Sequence, residues 1–154
     1  MVTREPASDE VADALSIPPG TEVVIRFRVM RAEGEPTLCL ATSYFPTWVT
    51  DAAPNLANPQ ISGMPRWLRD AFGDTYSEDL VDARAATEDE ARLLEVEPGA
   101  PVVFTKGVTR DQQHRTLHFI YVVTASGRMP FHYRYGAVPA EDAPAGGQPA
   151  EGGH

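Results

Sequence analysis

Two arginines two positions apart, Arg26 and Arg28, are the residues of this 154-residue chain best suited to binding chemistry. From Glu22 to Arg31, Val23, Ile25 and Phe27 alternate with Val24, Arg26 and Arg28, a period of two that reads as a strand. Both guanidiniums then leave one face of that strand, where they could grip an anion with bidentate geometry. The plainer alternative is a wet face on which they pair with nearby acids. His118 shares a strand face with Ile120, Val122 and Thr124. It is either a hydrogen-bonded core residue or a group that contacts ligand or moves a proton, and the last role needs a pKa near neutrality. Cys39 reads as a small buried hydrophobe rather than a nucleophile.

The remaining candidates are weaker. His114 and Arg115 belong to a turn, His132 and Arg134 alternate with Phe131, Tyr133 and Tyr135, and His154 ends the chain. Four histidines without ligand-like spacing define no metal site, and no cofactor is implied. Glu78, Asp79 and Asp82 read as an exposed strand edge rather than paired catalytic acids. A Gly-rich phosphate loop and a Gly-x-Ser-x-Gly elbow are both absent. Tyr44, Phe45, Trp48 and Trp67 are core, or the lining of a pocket for a flat ligand, and both readings stay open.

The elements that must position these residues occur twice. Ser8 to Ala12, Leu15 to Gly20 and Val23-Val24 reappear as Thr87 to Ala91, Leu94 to Gly99 and Val102-Val103; 94 − 15 and 99 − 20 both give an offset of 79 residues. The register continues to Arg31 and Arg110 and to Thr37-Leu38 and Thr116-Leu117, so two copies of one supersecondary unit are expected, with a cleft between them. Each copy begins with a short helix capped by Ser8 or Thr87 and stopping at Pro19-Gly20 or Pro98-Gly99. A hairpin follows: Glu22 to Arg31 with Thr37 to Phe45, and Val102 to Thr109 with Thr116 to Ala125. Between the copies, Pro46 to Gln60 reads as a long loop, Pro65 to Phe72 as a helix ending at Gly73, and Tyr76 to Ala86 as a strand. Met129 to Tyr135 reads as a last strand. The sum is an α+β domain over 1–139, with one largely antiparallel sheet of about six strands, short helices and an internal two-fold quasi-repeat. A tail at 140–154, rich in Pro, Gly, Ala and acids, is expected to be disordered.

Charge and composition narrow the function. A net charge of −9, with Lys106 the only lysine, argues against nucleic-acid binding by this chain itself. A single cysteine excludes an internal disulfide and fits a cytoplasmic protein. No apolar stretch approaches the length of a membrane span, and no basic start precedes an apolar run.

Taken in order, these residues resemble a known family. Ala12 to Gly20, Arg28, Glu33-Gly34-Glu35-Pro36 and Tyr44-Phe45-Pro46 are similar to the first half of the UTRA domain, the effector-binding half of GntR regulators of the HutC type. Arg84, Thr87 to Ala91, Leu94 to Val103, Arg110 and Gly127-Arg128 with Phe131 and Tyr133 resemble its second half. The resemblance implies a chorismate-lyase-like fold, a small-molecule pocket between the halves and a homodimer. It also implies DNA binding only through a winged helix-turn-helix domain that nothing here resembles. The chain is therefore expected to be either a piece of a regulator or a stand-alone protein. In phosphosugar-sensing members two arginines precede the Gly-x-Pro turn; the first matches Arg28, but the second falls on Met30. Pocket glutamates of those members align with Leu40 and His118, a polar residue aligns with Thr124, and the start of the middle helix has become Gly63-Met64-Pro65.

The resemblance thus implies a pocket drawn from Arg26, Arg28, Leu40, Tyr44, Met64, Trp67, His118, Thr124 and Tyr133. With most phosphosugar anchors replaced, the expected effector is an anionic, partly hydrophobic metabolite such as an aromatic, polyketide-like or lipid-like carboxylate. The alternative is a stand-alone lyase, isomerase or cyclase in which Arg28 holds a carboxylate and His118 moves a proton. A dimerisation module without a ligand is a third reading.

Overall fold

The computed structural model of the protein describes residues 1–60 and 63–131. Six strands form one antiparallel sheet: β1 (Val2–Pro6), β2 (Glu22–Met30), β3 (Cys39–Pro46), β4 (Thr75–Ala85), β5 (Pro101–Asp111) and β6 (Thr116–Ala125), in the spatial order β1-β2-β3-β6-β5-β4. The helices are α1 (Asp9–Leu15), α2 (Thr47–Ala52), α3 (Met64–Phe72) and α4 (Glu88–Leu94), with a 3₁₀ turn at Pro54–Ala57.

The duplicated unit is visible in the local chemistry. Ser8 Oγ accepts from the Val11 amide at 3.4 Å to start α1, and Thr87 forms a reciprocal capping box with Glu90 to start α4. Both helices end earlier than the Pro-Gly pairs, at residues in the left-handed conformation: Ser16 at φ 55 and Glu95 at φ 57. The amides of Ile17 and Val96 reach back to the Ala12 and Ala91 carbonyls, a Schellman stop, and the Pro-Gly pairs serve the turn that follows.

Three further expectations are corrected. The stretch Pro46 to Gln60 is not a loop: it carries α2 and the 3₁₀ turn, because Val49, Ala53 and Leu56 recur at i, i+4 and i+7 and are all buried. The sixth strand is β1 at the other end of the chain, paired with β2 from Val2↔Arg26 to Pro6↔Glu22. Residues 129–131 are not in a strand. The rest of that expected strand, and the tail at 140–154, lie outside the described residues.

Cβ atoms alternate across a strand, so the pairing register assigns every side chain to one of two sheet faces. One face carries Val23, Ile25 and Phe27 (β2), Leu40 and Tyr44 (β3), Phe119, Tyr121 and Val123 (β6) and Val102, Phe104 and Val108 (β5); α1 and α4 cover it. Leu15 and Leu94, equivalent in the two copies, are fully buried there, each contributing about 1.5–3 kcal/mol by transfer from water. The other face carries Val24, Arg26 and Arg28, then Ala41, Ser43 and Phe45, then His118, Ile120, Val122 and Thr124. Over one end of it α2, the 3₁₀ turn and α3 place Val49, Leu56 and Leu68 around Val24 and Phe45.

Candidate functional site: an unpaired cationic face of the sheet

Arg26 and Arg28 project from β2 on the face that the α2 and α3 segment covers at one end. Arg26 is only 2% exposed, and its one side-chain hydrogen bond among the described residues is a long one, from Nη1 to the Asn58 carbonyl at 3.4 Å. Its guanidinium carbon lies 5.8 Å from the centre of the Phe45 ring, which stacks on the His118 ring at 4.6 Å. The Nε atoms of Arg26 and Arg28 are buried with no hydrogen-bond partner among the described residues. Neither side chain forms an ion pair among those residues. Burial, reinforced by the charge of Arg28, lowers the Arg26 pKa to about 10, so the group stays protonated at neutral pH.

A buried cation without a carboxylate is expensive, and protein interiors normally supply the counter-charge. The opposite face does so. Arg84 donates to both Glu90 carboxylate oxygens at 2.6 Å and to the Tyr121 hydroxyl at 2.8 Å; Lys106 reaches Glu10 at 2.5 Å. The face that holds Arg26 and Arg28 has no such carboxylate for either arginine among the described residues.

His118 is fully buried, and neither ring nitrogen has a partner among the described residues. Burial, with the charges of Arg26 and Arg28 added, pulls its pKa down to about 3. It is a neutral imidazole at physiological pH, one ring N–H remaining as a donor and the other nitrogen as an acceptor. Thr124 is buried on the same face beside Cys39, and its hydroxyl is likewise unpartnered. Burial pushes the Cys39 thiol pKa up, against the pull of Arg28, which leaves it a protonated thiol at neutral pH.

The register separates the residues expected to share one pocket. Arg26, Arg28, His118 and Thr124 do share a face, and Met64 and Trp67 of α3 pack against the cluster over its end. Leu40 and Tyr44 do not: they lie on the opposite face, Leu40 in the core under α4 and Tyr44 against α1. The reason is that Arg26 pairs with Ser43 and Arg28 with Ala41, so the even positions of β3 face away from the arginines. Tyr133 lies outside the described residues. Ser43, Ala41 and Ile120 floor the site and were not expected there; the signal for them was the small-residue alternation Ala41, Ser43 on the strand facing Arg26. No cluster of metal-ligating side chains occurs among the described residues.

Comparisons with known proteins agree with the fold. Residues 1–125 match the UTRA domain model. An uncharacterised HTH-type transcriptional regulator of Streptomyces coelicolor is 31% identical over 140 residues, covering 87% of this chain and 51% of the relative. The chain spans about half the length of the curated relatives it matches. The same fold is found in the effector domain of PhnF from Mycobacterium smegmatis (TM-score 0.74, 21% identity, 89% of this chain and 84% of that one). It recurs in a GntR-family transcriptional regulator from Enterococcus faecalis (TM-score 0.71, 15% identity, 88% and 96%). With its duplicated helix-and-hairpin unit, its six-stranded sheet and a family match from residue 1 to 125, the chain belongs to the UTRA domain family.

Proposed function

We propose that this chain is the effector-sensing domain of a GntR-family regulator of the HutC type, acting in the cytoplasm as a homodimer. Its effector is a small anionic, partly hydrophobic metabolite rather than a phosphosugar. The observation that carries the reading is Arg26, buried and protonated at neutral pH, beside half-buried Arg28 with its unpartnered Nε, neither of them ion-paired to a carboxylate among the described residues. Around them Ala41, Phe45, Ile120 and Val122 offer apolar contact, and His118 offers one neutral donor. DNA binding belongs to a separate helix-turn-helix domain, in keeping with the HTH-type regulators this chain resembles over about half their length. Among the described residues no helix is long and apolar enough to cross a membrane, which is compatible with this setting.

Occupancy would act on DNA only if the ligand contacts two arrangements of the dimer differently. The enzymatic alternative asks His118 to exchange a proton near neutrality, and a histidine held neutral down to about pH 3 is poorly suited to that.

Thermal denaturation with octanoate, benzoate and a hexose 6-phosphate tests the reading. A ligand at about 100 times its Kd stabilises the folded state by about 2.7 kcal/mol. The carboxylates are expected to raise Tm and the phosphosugar to leave it unchanged. A phosphosugar shift with none from either carboxylate would contradict the ligand class.

A further inference from the structure

The face that holds the arginines continues across the sheet to an edge of opposite character. One row of paired residues runs Arg26, Ser43, Ile120, Gly107, Asp79 from β2 to β4. Gly107 is the informative member. It sits inside β5, where a side chain would normally add packing and glycine weakens the strand. A Cβ at this position would fall within clash distance of Asp79 Oδ1 and 2.9 Å from Ile120 Cγ2. The missing side chain is what lets the Asp79 carboxylate fold inward over β5, towards the centre of the face, instead of standing at the strand's edge.

Asp79 forms no ion pair among the described residues. Its same-face neighbours are Ser77 and Val81 on β4 and Thr105 and Thr109 on β5, with the Ser77 and Thr109 hydroxyls 2.9 Å apart. Among the described residues that half of the face therefore presents a carboxylate and hydroxyls and no cation, since Lys106 and Arg110 belong to the other face and pair with Glu10 and Glu78. Between the two ends lie Ala41, Ser43, Ile120 and Val122. With strands about 4.8 Å apart, the Asp79 carboxylate over β5 and the Arg26 guanidinium beside Phe45 of β3 are separated by two strand spacings, on the order of 10 Å.

Resting on the reading that Arg26 and Arg28 receive an anion, we propose that Asp79 and Gly107 form a second subsite for a cationic group. The effector is then an extended zwitterion, with its acid at the arginines and an ammonium or guanidinium about 10 Å away. The residues equivalent in the two copies, Arg28 and Gly107, thus carry opposite duties: one supplies a charge and the other makes room for one.

Titration calorimetry with 8-aminooctanoate and octanoate, which differ only in the terminal ammonium, tests this on the wild-type chain, Asp79→Asn and Gly107→Ala. Wild type is expected to bind the amino acid roughly five-fold more tightly than octanoate, the scale of one partly exposed charge pair. Asp79→Asn is expected to abolish that preference and leave octanoate binding unchanged. Gly107→Ala is expected to do the same by displacing the carboxylate; if it fails to fold, Asp79→Asn decides. Octanoate binding with no preference for the amino acid, or a preference that survives Asp79→Asn, overturns the subsite while the anion reading stands. Binding of neither probe overturns both.

Discussion

The two faces of the sheet differ in how their cations are partnered. Under α1 and α4 the cations are satisfied: Arg84 shares Glu90 and Tyr121, and Lys106 takes Glu10. Under α2 and α3, Arg26 has one long bond to a carbonyl, and His118 has no partner among the described residues. The first face also keeps the symmetry of the duplication, with Leu15 and Leu94 in equivalent places beneath equivalent helices. On the second face, among the described residues, only the segment between the copies supplies a cover, and it covers one end. Duplication built a scaffold, and the unduplicated segment gave one of its faces a polarised lining.

The largest expected contrast is in acid. The folded-state pKa of His118 lies at about 3, below the ordinary 6.5, so the unfolded chain takes up that proton first. Its contribution is complete above pH 6.5 and is lost as pH falls towards 3, at about 1.4 kcal/mol per pH unit. Glu90 on the paired face, its pKa lowered from 4.5 to about 2 chiefly by Arg84, contributes above pH 4.5 and fades only as pH falls towards 2. Urea midpoints between pH 6.5 and 4.5 therefore report the cationic face. His118→Gln is expected to flatten that limb, and an unchanged slope would break the comparison.

Next come two arginine substitutions of opposite sign. Arg84→Met strands Glu90 and is expected to cost about 2 kcal/mol, a figure reduced for partial exposure. Arg26→Met replaces an unpaired buried charge with an apolar side chain of similar length and is expected to stabilise by about 1 kcal/mol. Equal losses in the two urea titrations would mean that Arg26 has a structural partner after all. The smallest contrast lies within the symmetric face. Thr87→Ala is expected to cost about 1 kcal/mol and Ser8→Ala about half that, because Glu90 completes the box at Thr87 whereas Val11 holds the corresponding place in α1.

Much of the scaffold was legible in the sequence, because period-two alternation in Val23 to Phe27 and capping at Ser8 and Thr87 are local signals. The helix ends were not: Ser16 and Glu95 adopt a left-handed conformation that neither residue type advertises, which drew the expected stop on to the Pro-Gly pairs. β1 escaped notice because five residues with only two partly buried side chains carry no periodicity of their own; β2 supplies their order. Within the site, the shared face of Arg26 and Arg28 followed from their spacing alone. Which face Leu40 and Tyr44 occupy depends on how β3 registers against β2, a non-local pairing set by the whole hairpin from Met30 to Cys39. A resemblance carried position by position cannot supply that register.

The proposal that Arg26 and Arg28 are left unpaired to receive an anion can be tested at the arginines themselves. Calorimetric titration of octanoate into wild type, Arg26→Met and Arg84→Met tests it most directly. Octanoate is expected to bind wild type and folded Arg84→Met, with loss of binding in the more stable Arg26→Met. Undiminished binding to Arg26→Met, or loss confined to Arg84→Met, would contradict it.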